Sequence, residues 1–320
     1  MANARGGDVV VVGGANWDFL VRGPSLPTPG GTVRGDEFQE APGGKGANQA
    51  VAAARLGARV AFVGCVGADA YGERIIDRLQ TEGIDTQHVT RDATAASGIA
   101  VIQVGGDGEK QILTAPGANT RLSVADVEAA RSAIERAAVL LLQLEVSLDV
   151  VEASARIAHD AGVRVVLDPA PAVPLPDSLM RRVHLIRPNA EEAAIVTGVA
   201  VHDRATAGEA ARALLRRGAH AAVLQAGSEG DLMVWSHDGG ERERWLPRIP
   251  VKAIDATGAG DAFAAALAVM VAHDRPLEEA GPFASAAAAL TTTKLGAQAA
   301  LPTRHEVDAL LRERAPSTAS

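Results

Sequence analysis

Patterns typical of buried strands alternate with helical patterns along most of the chain. Residues 8–13 form an almost continuous apolar run, as expected of a strand buried on both faces. Helical patterns follow at residues 46–56 and 71–82, separated by a second strand pattern at 59–66. Further strand patterns lie at residues 139–142, 163–167, 183–186, 221–224 and 231–235. This alternation predicts an α/β fold with a mainly parallel central sheet and helices on both faces.

Two segments interrupt the alternation. Residues 22–41 are rich in Pro and Gly, and residues 99–113 have the pattern of a hairpin whose turn contains Gly105 and Gly108. Both segments lie between early strand–helix units. We therefore expect a small β-sheet lid that projects from a single domain of residues 1–320. The alternative is that both segments are surface loops without a sheet of their own.

Composition and charge argue against several classes of protein. The 320 residues carry a formal net charge of −8 without a basic run, which argues against nucleic acid as a partner. The single cysteine, Cys65, excludes an intramolecular disulfide and suits a reducing compartment. No apolar run reaches the ~18 residues that a membrane helix needs, and residues 1–7 are too short and polar for a signal peptide. We therefore expect a cytoplasmic protein that binds neither nucleic acid nor membrane.

The most informative motif is the glycine-rich stretch at residues 255–261. It follows a short apolar segment at residues 249–254 and precedes an apolar run at 262–270, which predicts a strand, a turn and a helix. Glycines let backbone N–H groups approach a ligand, and a helix start adds partial positive charge, so this turn suits a phosphoryl group. Asp261 would lie beside that anion and accept the proton of an attacking hydroxyl. The alternative is an ordinary turn in which Asp261 only stabilises the helix start.

Two further polar stretches are candidates for binding. Residues 43–48 are glycine-rich but are not a P-loop, because no Ser or Thr follows Lys45. They could hold the backbone and the Asn48 amide close to a ligand, or they could be a simple helix-entry turn. Asn16 and Asp18 follow the first strand, at the edge where open α/β sheets bind ligands. They could contact neighbouring hydroxyls of a sugar, with a polar turn as the alternative.

Asn189 and Glu192 form a fourth candidate. They are three residues apart and share one face of a predicted helix start. Such a pair could hold a hydrated Mg²⁺, an ion that keeps several waters and takes few protein ligands. Simple helix capping is the alternative. The eight histidines show no metal-ligand spacing, so we expect no zinc site.

Taken together, these stretches resemble the ribokinase family of sugar kinases, also called the phosphofructokinase B family. The resemblance extends from Asp8 to Leu311 and rests on two signature motifs, here residues 43–50 and 255–261, in the family's order. The resemblance implies transfer of the ATP γ-phosphoryl group to the 5-hydroxyl of D-ribose, with Asp261 as the catalytic base. Four shorter stretches also follow the family's pattern: residues 27–30, 115–119, 143–145 and 296–298.

The resemblance also implies a role for each matched position. The loop of Gly258, Ala259 and Gly260 would form the anion hole beside Asp261. The sugar would contact Asn16, Asp18, Gly44, Lys45, Gly46, Ala47, Asn48, Glu145 and Asp261. ATP would contact Asn189, Gln225, Ala226, Gly227, Ser228, Glu229, Gly230, Gly260 and Ser285.

The implied metals and partners follow from the same resemblance. Glu192 would hold Mg²⁺ through water. The lid would close over the sugar and pair with a second subunit to form a homodimer. A K⁺ ion near the anion hole would be held, largely through carbonyl oxygens, at Asp255, Thr257, Thr291, Lys294, Gly296 and Ala300.

The chain departs from the family's pattern in several places. Gln225 replaces a usual Thr and Ser285 replaces His or Asn, which puts some nucleotide contacts in doubt. Trp17 replaces a small residue or Met between Asn16 and Asp18, so its bulk would either alter the sugar pocket or pack under the lid. Two other functions stay open: a kinase for a nucleoside, deoxyribose or another furanose, and a non-catalytic regulator that binds sugar or nucleotide.

Overall fold

The computed structural model of the chain describes residues 7–106 and 108–314. They form a nine-stranded sheet covered by helices and a separate four-stranded sheet. The fold class expected from the sequence is thereby confirmed. Residues 1–6, which carry most of the segment judged not to be a signal peptide, lie outside the described residues, as does Asp107 in the expected hairpin turn.

The nine-stranded sheet is parallel except at one end. Its strands lie in the order β13-β12-β11-β10-β9-β8-β1-β4-β5, and only the β11–β12 and β12–β13 pairs are antiparallel. Because the parallel strands share one direction, their carboxyl ends meet along one edge. The strands are β1 (Gly7–Val12), β4 (Val60–Gly67), β5 (Asp85–Asp92), β8 (Ala137–Leu142), β9 (Arg164–Leu167), β10 (Leu185–Ile186), β11 (Ala221–Gln225), β12 (Gly230–His237) and β13 (Gly240–Pro247).

Helices cover both faces and create two apolar cores. Val9 and Val11 of β1 pack into one core, whereas Val10 and Val12 pack into the other, as the two-residue period of a strand requires. No helix within the described ranges is long and apolar enough to cross a membrane. The first core is covered by α1 (Lys45–Arg55), α2 (Ala70–Thr81), α9 (Ala259–Ala272), α10 (Leu277–Thr291) and α12 (Arg304–Arg314), with α11 (Ala297–Ala300) nearby; the second is covered by α3 (Val124–Ala129), α4 (Arg131–Arg136), α5 (Leu148–Asp160), α6 (Asp177–Met180), α7 (Ala190–Thr197) and α8 (Arg204–Arg216).

The four-stranded sheet corresponds to the predicted lid. Its strands lie in the order β3-β2-β6-β7, with β2 and β6 parallel and the outer pairs antiparallel. The lid begins at Asn16 rather than at about residue 22, so it includes Asn16 and Asp18, for which a polar turn was the alternative. Residues 23–36, within the expected lid segment, connect two lid strands without forming part of the sheet. The lid strands are β2 (Asn16–Arg22), β3 (Glu37–Gly43), β6 (Gly98–Val104) and β7 (Lys110–Ala115).

Two strands of the main sheet were missed, and one expected strand is absent. β5 and β13 have polar sequences because each lies at an edge of the main sheet, where one side faces solvent. The apolar segment at residues 249–254 is not a strand, so the strand–turn–helix layout predicted around residues 255–261 is wrong in its first part. Instead, Ile249, Pro250 and Val251 form one wall of a large cavity.

Candidate active site

Polar side chains follow neighbouring strands at the carboxyl edge of the main sheet. Asn16 comes shortly after β1, Glu145 after β8 and Asp168 directly after β9, while Asn189 lies just past β10. Since these four strands are adjacent and parallel, their ends bring the side chains to one edge. The lid emerges from the same edge. A ligand site between sheet and lid follows from this placement.

The start of α9 has the geometry of an anion site. Gly258 caps the helix with φ +80°, a left-handed conformation that favours glycine. The Ala259 N–H donates to the Ala256 carbonyl at 3.2 Å, whereas no backbone carbonyl of the described residues accepts a hydrogen bond from the Gly260 N–H. Asp261 follows in the first turn and is only 6% exposed. A free amide and a carboxylate therefore lie side by side at a helix N-terminus.

Side-chain amides from α1 hold the Asp261 carboxylate in place. Asn48 Nδ2 donates to Asp261 Oδ2 at 2.9 Å, and Gln49 Nε2 donates to Asp261 Oδ1 at 3.1 Å. Gln49 Nε2 also donates to Asp168 Oδ2 at 2.7 Å. Gln49 Oε1 in turn accepts a hydrogen bond from Gln143 Nε2 at 2.6 Å. The carboxylate thus has a fixed orientation before any ligand binds.

Three residues of this network, Gln49, Asp168 and Gln143, were not predicted from the sequence as site residues. A signal existed for each of them. Asp168 and Gln143 directly follow buried strands at the carboxyl edge, which is where ligands bind in such sheets. Gln49 is a polar residue that is fully buried within an otherwise Ala-rich helix. It lies beside Asn48 in a motif that was recognised, but its bonds reach residues more than a hundred positions away.

Hydrogen-bond acceptors line one side of Asp261, and two of them have no donor. Asp18 Oδ1 and Asn48 Oδ1 are both buried and have no hydrogen-bond partner. Asn16 lies nearby, and its Oδ1 accepts from the buried Asn119 Nδ2 at 2.8 Å. Glu145 Oε2 accepts from the Lys45 backbone N–H at 2.7 Å. Unpaired buried acceptors are costly, so this side of the site suits a ligand that presents several hydroxyl donors.

The glycines of this region leave room for the acceptors. A Cβ at Gly43 would lie 2.1 Å from Asp18 Oδ2, and one at Gly44 would lie 2.7 Å from the Asn16 backbone nitrogen. Gly44 also has φ +86°, which favours glycine. The glycine-rich stretch therefore allows the lid strand and the start of α1 to approach each other closely.

Burial shifts the pKa values of the site's acidic groups. It raises the pKa of Asp18 to about 7, with the charge of Asp261 adding to the effect. Burial also raises the pKa values of Glu145 and Asp168 to about 7, although the nearby Lys45 charge opposes both shifts. Burial opposes ionisation of Lys45, yet the charges of Asp261, Asp168 and Glu145 outweigh it and raise the Lys45 pKa. The Lys45 ammonium is therefore surrounded by negative charge at the centre of the site.

A large cavity opens on the other side of Asp261. Its volume is about 550 Å³, within the range of small-molecule and cofactor sites. Ser285 lines it, and the buried Ser285 Oγ has no hydrogen-bond partner. The turn formed by residues 226–230, which was expected to contact ATP, does not contribute to the described lining. The site residues predicted from the sequence that do line the cavity are Lys45, Asn189, Glu192, Gln225, Gly258, Ala259, Gly260, Asp261 and Ser285.

Asn189 and Glu192 form a reciprocal capping box at the start of α7. Asn189 Oδ1 accepts from the Glu192 N–H, and Glu192 Oε2 accepts from the Asn189 N–H, both at 2.8 Å. The capping alternative raised by the sequence is therefore present in the structure. Both residues also line the cavity, so capping holds them in place without removing them from a ligand's reach.

Two of the positions implied for K⁺, Thr257 and Gly296, contact the carboxylate of a third, Asp255. Asp255 Oδ1 accepts from Thr257 Oγ1 at 2.7 Å, and Asp255 Oδ2 accepts from the Gly296 N–H at 3.1 Å. Although burial opposes ionisation of Asp255, hydrogen bonds led by that from Lys110 lower its pKa to about 2. Of the remaining positions, Thr291 ends α10, Lys294 lies in the following turn with its ammonium on Glu306, and Ala300 ends α11.

Trp17 packs under the lid. Its ring stacks on Tyr71 of α2 with centroids 6.1 Å apart, and the Arg74 guanidinium lies 4.4 Å from the ring centroid. Trp17 Nε1 donates to Glu40 at 3.1 Å. Because alternate residues of a strand face opposite sides, Trp17 points away from Asn16 and Asp18. Trp17, which differs from the family's usual residue, therefore connects the lid to α2 of the main domain.

Asp261 lies between two spaces. On one side are hydrogen-bond acceptors that suit the hydroxyls of a small ligand, and on the other is a cavity large enough for a nucleotide. This arrangement is that of a kinase acting on a small polyhydroxyl molecule. Residues 7–304 match the pfkB family of carbohydrate kinases. The chain belongs to this family. It is a phosphotransferase with an alcohol group as acceptor.

Individual relatives agree with the family assignment. The chain is 41% identical over 298 residues to a ribokinase from Haemophilus influenzae, covering 93% of this chain and 96% of the relative. It is 33% identical over 296 residues to a deoxyribokinase from Salmonella typhi, covering 92% and 95%. The solved structure of Arabidopsis thaliana ribokinase complexed with ribose and ATP is similar with a TM-score of 0.87 and 32% identity, covering 96% of this chain and 99% of that chain.

Proposed function

We propose that this protein is a ribokinase, which transfers the γ-phosphoryl group of ATP to the 5-hydroxyl of D-ribose. The observation that carries this proposal is the pair of buried acceptors, Asp18 Oδ1 and Asn48 Oδ1, that lack donors beside Asp261. A sugar supplies several hydroxyl donors, whereas an apolar substrate would leave both oxygens unpaired. The ribokinases among the relatives support ribose as the acceptor.

Asp261 would be the catalytic base. Asn48 and Gln49 fix its carboxylate, so one oxygen can face the 5-hydroxyl without a further conformational change. The carboxylate would remove the hydroxyl proton as the new O–P bond forms, since full deprotonation beforehand is unnecessary. The remaining hydroxyls would contact Asn16, Asp18, Gly44, Lys45, Gly46, Ala47, Asn48 and Glu145.

The phosphoryl group would bind at the start of α9. Phosphoryl transfer has a loose transition state, so positioning and charge neutralisation supply most of the acceleration. The free Gly260 N–H and the positive end of α9 would stabilise the transferring group, and the Lys45 ammonium, which lies close enough to Asp261 to interact with its charge, would add positive charge. The nucleotide would occupy the adjacent cavity, near Asn189, Gln225 and Ser285.

Mg²⁺ fits the donors that the cavity offers. No cluster of three or more His, Cys, Asp or Glu that could hold a metal occurs within the described ranges. Of the described residues, four carboxylates line the cavity without forming such a cluster, and Glu192 is the one that caps a helix start together with Asn189; the four are Asp168, Glu192, Asp231 and Asp261. Such a donor set suits an ion held mainly by water and nucleotide phosphates. Glu192 would therefore bind Mg²⁺ through water, and the ion would neutralise charge on the phosphates.

K⁺ fits the loops around Asp255. The carbonyl oxygens of Asp255, Thr257 and Lys294 accept no backbone hydrogen bond from the described residues, so they are available to a monovalent cation. A cation there would add positive charge near the start of α9. Thr291, Gly296 and Ala300 would complete the ligand set, with the Asp255 carboxylate nearby.

We also propose a cytoplasmic homodimer that pairs through the lid. The outer lid strand β7 exposes Ile112 and Leu113, which are 60% and 75% exposed. An unpaired strand edge that also carries large apolar side chains suits pairing with a second lid. The net charge of −8 fits a protein that binds small ligands rather than nucleic acid.

The test compares acceptors directly. Mg²⁺-dependent ADP release would be measured with D-ribose, 2-deoxyribose, fructose and adenosine, each with and without K⁺. We expect the highest kcat/KM with D-ribose and a further rise with K⁺. Higher kcat/KM with 2-deoxyribose would instead support a deoxyribokinase, in line with the Salmonella typhi relative. ADP release with none of the four would contradict the proposed function.

A further inference from the structure

Arg187 lies beside the anion site but was not singled out by the sequence. It directly follows β10, and its backbone N–H donates to the Leu167 carbonyl at 3.0 Å. Its guanidinium lies 5.0 Å from the ring centroid of Phe263 on α9. A Cβ at Gly260 would lie 3.1 Å from Arg187 Nη1. The guanidinium therefore lies over the start of α9, where the absence of a side chain at Gly260 lets it approach closely.

The Arg187 side chain lacks a partner of opposite charge. Its Nε is buried and has no hydrogen-bond partner, and no carboxylate of the described residues lies within 4.0 Å of the guanidinium. Asp168 and Asp231 are close enough for the Arg187 charge to lower their pKa values, which burial raises. Most charges at such depth are paired, because desolvation is costly. An unpaired guanidinium that lines a cavity therefore calls for an anionic ligand.

The surroundings define the chemistry of that anion. Gly260, whose N–H has no backbone acceptor among the described residues, and Lys45 line the same cavity as Arg187, so three kinds of donor border one space. A guanidinium presents a planar fork of donors that matches two oxygens of a phosphoryl group. The ring of Phe263 restricts how the guanidinium can turn. This preorganised donor set suits charge that develops on a phosphoryl group during transfer.

We propose that Arg187 is a catalytic residue whose guanidinium binds the equatorial oxygens of the γ-phosphoryl group as it passes from ATP to the sugar. The inference rests on the proposed function, which it deepens. In the transfer, the bond from phosphorus to the leaving ADP oxygen breaks, and the bond to the sugar oxygen forms. Arg187 stays protonated throughout and neutralises charge, while Asp261 takes the proton.

The experiment compares Arg187→Met with Arg187→Lys. Loss of one preorganised donor at such a site lowers kcat by about 10²–10³-fold. We expect a loss of this size in Arg187→Met, with the KM for the sugar nearly unchanged. Arg187→Lys keeps the positive charge but lacks the planar pair of donors, so we expect an intermediate kcat. Because it preserves the charge, this variant still tests the proposal if Arg187→Met fails to fold. Circular dichroism and thermal melts would check folding of both variants.

A binding measurement shows whether Arg187 contacts the phosphoryl group mainly in the transition state or already in the ground state. Aluminium fluoride with ADP and sugar mimics the planar phosphoryl group. Arg187→Met should weaken this complex far more than it weakens ADP alone, as measured by calorimetry. Arg248→Met, which removes an exposed arginine from the same cavity, is the matched control and should alter the ratio much less.

Two results would overturn the proposal. One is a kcat in Arg187→Met close to that of the unaltered protein. The other is an equal loss of affinity for ADP and for the aluminium fluoride complex, which would make Arg187 a ground-state nucleotide contact. Failure of the proposed function gives a different result: the unaltered protein itself releases no ADP with any sugar. That measurement is made before the variants, so the two failures can be told apart.

Discussion

Lys110 on the outer lid strand donates a hydrogen bond to Asp255 at the head of the anion-site loop, with Nζ 2.8 Å from Oδ1. The same ammonium lies 3.2 Å from Thr257 Oγ1. The loop that these residues begin ends at Asp261. The position of the lid is thus tied directly to the loop that carries the proposed base.

Replacing Lys110 should therefore change the KM for the sugar more than the free energy of unfolding. The ion pair is partly exposed, with side chains 37% and 10% accessible, and should contribute about 0.5–1 kcal/mol to the free energy of unfolding. We expect Lys110→Met to raise the KM for the sugar severalfold, because the lid would close less readily. Initial-rate kinetics and urea unfolding would measure the two effects. Lys252→Met, at an exposed lysine outside the lid, is the control. An unchanged sugar KM would show that the contact does not govern closure.

Truncation of Trp17 should weaken the packing of the lid without changing the preference for one sugar over another. Its side chain is 7% exposed and faces Tyr71 and Arg74 rather than the sugar pocket. Truncation of a buried tryptophan costs about 3–5 kcal/mol, so Trp17→Ala should lower the unfolding midpoint markedly. The ratio of kcat/KM for ribose and 2-deoxyribose should stay the same. The exposed Phe38 on the neighbouring lid strand offers a control in Phe38→Ala. An altered ratio without a loss of stability would place Trp17 in the sugar pocket.

The buried carboxyls make stability depend on pH. Asp18, Glu145 and Asp168 have folded-state pKa values of about 7, whereas unfolded carboxyls titrate near pH 4. Between about pH 4 and pH 7 the folded protein binds more protons than the unfolded chain, so the free energy of unfolding falls as pH rises. We expect the ligand-free protein to be less stable at pH 8 than at pH 6. Urea unfolding across this range would measure the slope.

The sugar should counter this loss of stability. Hydroxyls that donate to Asp18 and Glu145 favour the charged carboxylates, so the stabilisation gained from ribose should increase with pH. Asp18→Asn removes one titrating group and should make the slope shallower in the ligand-free protein. A slope unaffected by Asp18→Asn, or stability that rises from pH 6 to pH 8, would contradict the assigned pKa shifts.

The sequence predicts what depends on local pattern. Buried strands, helices and the glycine-rich turn before Asp261 can be found because each has a short-range signature. The edge strands β5 and β13 could not be found, since solvent on one side removes the apolar pattern. Gln49 and Arg187 also escaped notice, because their roles come from contacts with Asp261 and Phe263 that lie far away in the chain. Contacts between side chains so far apart in the chain can be identified only from the three-dimensional structure.

Formation of ribose 5-phosphate by the unaltered protein and by Asp261→Asn shows whether Asp261 is the catalytic base. The rate would be followed by phosphorus NMR with Mg²⁺, ATP and ribose, while calorimetry measures ribose and ADP binding to both proteins. Since general-base catalysis contributes about 10²–10⁴-fold, we expect at least that loss of rate in Asp261→Asn, with ribose binding retained. Ribose 5-phosphate formed by Asp261→Asn at nearly the unaltered rate would contradict it.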